Sequence, residues 1–222
     1  MQRTRTFAQC LFAIALTFQL SPVLAQSQDL SVNARLLASA RNGDEAGINR
    51  ALADGASPNA RNRLGETVLL IALKNDRPAL ARKMIDAGTD VSQGAVNGVT
   101  PLMAAAHAGQ TEIFKLLLAK GADVKAVDQL NKSAMIYAAG QGQTDIVVLL
   151  LKVGVDPNAI YVHDLTALMW AAGYGKTETA KALLDAGAKP NLKDDRGKTA
   201  LDIAREGKYE ATAKLLESAS GG

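Results

Sequence analysis

Between Gly98 and Asp123, apolar runs alternate with turn-forming and polar residues in a set order. Thr100, Pro101 and the apolar run Leu102–Ala106 predict a short helix. Thr is a good N-cap, and Pro suits the first helical position, where its missing N–H has no partner anyway. Gly109 ends that helix. Thr111 offers a second cap, with Glu112 just inside, where a negative charge meets the positive end of the helix dipole. Ile113, Phe114 and Leu116–Leu118 give the second helix its apolar side, and Phe114 between Ile113 and Leu116 is assigned to the core. Gly121 closes the helix by supplying a left-handed residue. The pattern predicts turn, helix, turn, helix, turn.

The pattern returns every 33 residues. Thr67, Thr100, Ser133, Thr166 and Thr199 keep that spacing, as do Gly55, Gly88, Gly121, Gly154 and Gly187, and Ala72, Ala105, Ala138, Ala171 and Ala204. Three position classes sharing one period without a slip predict a solenoid of helix–turn–helix units. Each helix is only about eight residues, and isolated helices in water need roughly 12–15, so stacking is what stabilises them. Gly65, Gly98, Asn131, Asp164 and Gly197 occupy one position in the turn before each first helix. These residue types tolerate positive φ, so one turn geometry is expected at all five.

The period divides the chain. Residues 29–61 form an atypical first unit with helices marked by Leu36, Leu37, Ala40 and by Ile48 and Leu52, and with Arg50 where later units place Leu116, Leu149 and Leu215. Four full units follow at roughly 62–94, 95–127, 128–160 and 161–193. In the final unit, 194–217, Asp202, Arg205, Lys208 and Glu217 replace apolar or small residues, as the polar outer face of a terminal cap requires. Residues 218–222 read as a disordered tail.

On Gly98–Ala105, with its Thr-Pro-Leu core, and on Leu116–Val124, the chain resembles the ankyrin-repeat family, with echoes at Thr166–Ala172 and Leu183–Ala188. The likeness covers nearly everything after residue 30. The histidine usual in that family after Thr-Pro-Leu is replaced by Leu70, Met103, Ile136, Met169 and Asp202, which removes a hydrogen-bond brace but not the period. The resemblance implies an all-α ankyrin solenoid over residues 29–217, six units including two caps, with short finger loops. It also implies that first helices and turn tips line a concave side where partner proteins bind.

Residues 1–25 read as a signal peptide. Arg3 and Arg5 precede the mostly apolar run Phe7–Leu20, Pro22 breaks it, and Val23, Leu24 and Ala25 offer a cleavage site after Ala25. The run is short for a membrane span, which takes about 20 apolar residues. Export to the periplasm is expected, with no membrane span after cleavage and with the only cysteine, Cys10, removed. The formal charge of +3 falls to +1 without Arg3 and Arg5, which argues against a dedicated nucleic-acid binder, since that needs a basic stripe. Apolar content is 48% but aromatic content only 4%, as small residues between close-packed helices require.

Candidate chemistry is sparse. Gly175-Lys176-Thr177 and Gly197-Lys198-Thr199 imitate a phosphate loop, but Trp170 and Leu192 stand where its first glycine belongs, and no strand precedes either. His107 and His163 lie two units apart, about 20 Å at the usual helix spacing of 8–10 Å, too far to share a metal. No nucleophile–base pair is visible, so no enzyme, cofactor or metal is expected. Beyond residue 25 only six aromatics remain, and Tyr137, Tyr161, Trp170 and Tyr174 fall in the third and fourth full units. Tyr137 and Trp170 are 33 apart on neighbouring first helices and serve equally as binding anchors or as interlayer filling; one edge of Trp170 is expected against Tyr137. Tyr161, His163 and Tyr174, at turn tips and inter-helix loops, favour binding, because little core lies there to fill. The expected function is non-catalytic protein binding by a monomer, through Tyr137, Tyr161, His163, Trp170 and Tyr174. The alternatives are an accessory factor stabilising a periplasmic enzyme or envelope assembly, and an immunity protein neutralising a toxin.

Overall fold

The computed structural model describes residues 31–221. The expected signal peptide with its cut after Ala25, the first two residues of the unit at 29–61, and Gly222 lie outside the described residues. Among the described residues there are twelve α-helices and no strand. They are α1 (Val32–Asn42), α2 (Glu45–Ala53), α3 (Val68–Lys74), α4 (Pro78–Asp86), α5 (Pro101–Ala108), α6 (Thr111–Ala119), α7 (Ala134–Gln141), α8 (Thr144–Lys152), α9 (Ala167–Gly173), α10 (Thr177–Asp185), α11 (Ala200–Glu206) and α12 (Glu210–Ser220). They pair into six helix–turn–helix units, the all-α solenoid that the 33-residue period predicts. No helix among the described residues is long and apolar enough to cross a membrane.

The odd-numbered helices form one layer, and from α4 the even-numbered helices form the other. From α3 onward the odd layer is the more closely packed. The alanine period explains this: Ala72, Ala105, Ala138, Ala171 and Ala204 are all fully buried, and their size lets successive backbones approach. A closer odd layer bends the stack towards itself. Larger side chains fill the space between layers, among them Leu69, Leu102, Phe114, Met135 and Leu150, in one core running from Leu36 to Leu216.

Thr67, Thr100, Thr166 and Thr199 each accept a bond from the N–H three residues on, at 3.3 Å, as N-caps should. Ser133 does not: its buried hydroxyl makes no cap bond to α7 and lies beside the Tyr161 phenol instead. In the last unit Asp202 completes a reciprocal cap by accepting from the Thr199 N–H at 2.9 Å and hydroxyl at 2.7 Å. A polar brace thus stands at the position where the expected histidine is missing.

The cap expected at Thr111 is corrected. Gln110 takes the N-cap position and Thr111 is the first residue of α6, with no side-chain cap bond at that end. Equivalent residues reach back to the preceding unit instead. Arg77 donates to the Ala40 carbonyl at 2.9 Å, Gln110 to Asp76 at 2.8 Å and Gln143 to the His107 carbonyl at 3.5 Å. Tyr209 lies on Gly175, leaving no room there for a Cβ. These contacts brace each first-helix end against the next unit.

The disordered tail is also corrected. α12 runs to Ser220, past the expected end at Glu217, and the Ser218 and Ser220 hydroxyls donate to the Lys214 and Leu216 carbonyls. Arg205 and Glu217, two of the charged residues on the terminal unit, pair with each other.

Candidate protein-binding surface

The turns between units form five fingers, each closed by a backbone bond: Asn62 to Glu66, Ala95 to Val99, Asp128 to Lys132, Tyr161 to Leu165 and Asp194 to Lys198. All five residues expected at positive φ adopt it: Gly65 at 72°, Gly98 at 82°, Asn131 at 55°, Asp164 at 55° and Gly197 at 77°. The side chains of Asn62, Asp128 and Asp194 each accept from two N–H groups of their own finger, and this holds the turn tight. Tyr161 stands at the same position and has no oxygen at that reach. Its finger adopts two consecutive positive-φ residues, His163 at 59° and Asp164 at 55°.

Tyr137 projects from α7 half-buried. Its hydroxyl donates to Asp128 Oδ2 at 2.6 Å, and its ring meets His107 edge-on at 5.9 Å. Burial first, then the Asp128 carboxylate, pushes the Tyr137 phenol well above its usual range. Trp170 does not pack against Tyr137 as expected. Its ring stacks on Tyr174 at 5.9 Å with 13° between planes, because the two lie one turn apart on α9 and its C-cap. Across from them α7 presents Gly140, where a Cβ would sit 3.5 Å from the indole. Lys132 Nζ sits 4.7 Å from the Trp170 ring centroid, a cation–π contact. The Trp170 indole N–H is buried without a partner.

Of the other expected residues, Tyr174 is 53% exposed. Tyr161, expected at an open turn tip, instead packs half-buried against the core, and burial raises its phenol pKa. His163 is exposed and links two fingers through Nδ1, 2.8 Å from Asp195 Oδ2. The five residues therefore do not form one patch. Trp170 and Tyr174 come together with Lys132, Tyr137 joins His107 one unit earlier, and His163 stands at a tip.

Sequence reasoning missed the finger tips. Leu64 is 63% exposed, Val96 65%, Leu130 62% and Ile160 61%, so an exposed apolar residue recurs in or beside four of the five fingers. Their signal was an apolar residue at or beside a turn, where nothing needs filling. Beside them, Leu73, Val99, Met103 and Tyr137 wall a notch over Ala104 of ≈ 260 Å³, below the about 300–1,000 Å³ of ordinary small-molecule sites.

Charges on this face are mostly paired. Lys74 meets Glu66 at 2.6 Å and Arg196 meets Asp194 at 2.7 Å. Burial opposes ionisation of Glu66, but hydrogen bonds from Lys74 and Asn62 outweigh it and hold its carboxyl below the usual range. Aromatic faces, apolar tips and a few charges are the features of a surface suited to a macromolecular partner.

The family model described as Ankyrin repeats (3 copies) matches residues 36–128, 75–161 and 135–221, together nearly the whole described chain. No curated protein matches the chain.

Proposed function

The chain belongs to the ankyrin-repeat family, and from that membership we propose that it is an exported, non-catalytic protein-binding module acting through its first helices and fingers. Ankyrin repeats are generally protein-interaction modules and typically non-catalytic. The observation that carries the choice of face is the stacked Trp170–Tyr174 pair, with Tyr174 half open to solvent in a chain otherwise poor in aromatics. Large flat side chains of this kind contribute most to protein interfaces. Export to the periplasm rests on Arg3, Arg5, the apolar run Phe7–Leu20 and the small residue Ala25.

Two experiments test the proposal. Capture of a partner from periplasmic extract by the immobilised domain is expected to weaken by about 2 kcal/mol or more when Trp170→Ala and Tyr174→Ala are combined. Undiminished capture by the folded double variant rejects this face. Intact mass of the periplasmic protein is expected to correspond to a chain beginning at Gln26; a mass retaining residues 1–25 rejects cleavage.

A further inference from the structure

Neighbouring fingers are joined by backbone hydrogen bonds: Val96 N–H to the Leu64 carbonyl at 2.8 Å, Gln129 N–H to Asn97 at 3.0 Å and Asp195 N–H to His163 at 3.1 Å. One step is missing. Between the Asp128 and Tyr161 fingers the equivalent groups, Val162 N–H and the Leu130 carbonyl, make no bond. The Tyr161 finger differs from the other four in its two consecutive positive-φ residues, His163 and Asp164.

Three further features lie on these two fingers and the helices next to them. Leu130 and Ile160, one on each side, expose 62% and 61% of their surface. The Trp170–Tyr174 stack lies in the unit that carries the Tyr161 finger. Lys132, two residues from Leu130, lies on Trp170 and makes no ion pair. The acids of this face are otherwise engaged: Glu66 by Lys74, Asp128 by the Tyr137 hydroxyl, Asp194 by Arg196, Asp195 by His163 and Glu206 by Lys198. Asp164, at the fingertip, is the exception.

We infer that this opening receives an extended, acidic segment of the partner protein. The segment's backbone pairs with Val162 N–H and the Leu130 carbonyl, as an added strand does at a sheet edge. A carboxylate of the segment meets Lys132, and its apolar side chains cover Leu130 and Ile160. A nucleic-acid backbone would need a row of cations, whereas Lys132 is flanked by apolar tips. The inference rests on the interaction reading above and specifies the chemistry of the partner.

Trp170 is the only tryptophan, so its emission reports on this site alone. The protein is titrated with a capped octapeptide of alternating glutamate and leucine, and separately with one of alternating lysine and leucine. The acidic peptide is expected to give a saturable change in emission and to slow amide exchange at Val162; the basic peptide does neither. Lys132→Glu is expected to weaken acidic-peptide binding roughly tenfold. That variant keeps the fold, because Glu66 occupies the equivalent position one repeat earlier than Val99 and two earlier than Lys132. Equal responses to both peptides, no saturable change, or unaltered exchange at Val162 overturns the inference. Partner capture that falls with Trp170→Ala and Tyr174→Ala but is unchanged by Lys132→Glu overturns the acidic segment and leaves the interaction reading standing.

Discussion

Gly98 and Gly197 hold the same turn position at similar φ, yet their surroundings differ. A Cβ at Gly98 would lie 3.0 Å from Asp128 Cα, while one at Gly197 would meet nothing within 4 Å. Gly197→Ala is expected to cost about 1–2 kcal/mol of left-handed strain, and Gly98→Ala about 1 kcal/mol more from the backbone contact. Asn131→Gly and Asp164→Gly are expected to be near neutral, since relief of strain and added chain entropy oppose each other. Denaturant melts of the four variants decide; equal losses for both alanines would mean the contact at Gly98 is not felt. Tyr137 adds a pH test. Its phenol pKa is raised on folding, so the stability it contributes is full below its unfolded value of about 10 and is lost as pH rises beyond that. Tyr137→Phe is expected to cost about 1 kcal/mol near neutral pH through the lost bond to Asp128 and to flatten the alkaline decline. A parallel decline in both proteins would remove Tyr137 as its cause. The positive-φ positions were legible in sequence because Gly, Asn and Asp share one local property. The partner of Trp170 was not, because position 170 stacks along its own helix while the neighbouring helix offers Gly140.

At the scale of the helices, the period revealed where each element starts, but residue type did not reveal how each start is satisfied. Thr100 caps α5, whereas Ser133, its equivalent, leaves α7 without a side-chain cap. Thr100→Ala is expected to cost about 1 kcal/mol, and Ser133→Ala less, since no cap bond is lost there. Thermal melts check the pair; equal losses contradict the difference in capping. The second helices show the same limit. Thr111 has the composition of a cap, yet the residue before it is the one that bridges to the preceding unit, a role set by the neighbour's position and invisible in a local window. Tyr161 belongs here too. Its identity marks an irregular finger, but only the fold turns it towards the core.

For the whole molecule, the stack of six units was legible because each unit repeats one solution to burying an apolar face against its neighbours. The binding face was only partly so. Aromatics stand out in a chain that has few, whereas the apolar tips Leu64, Val96, Leu130 and Ile160 are marked only by their place at or beside a turn. The central claim is that a partner meets the side bearing Tyr174. Photo-crosslinking in living cells tests it most directly, with benzoylphenylalanine placed at Tyr174 in one strain and at the exposed Lys181 of α10 in another. A discrete protein adduct is expected from position 174 and not from position 181. No adduct at 174, or an adduct only at 181, contradicts the claim.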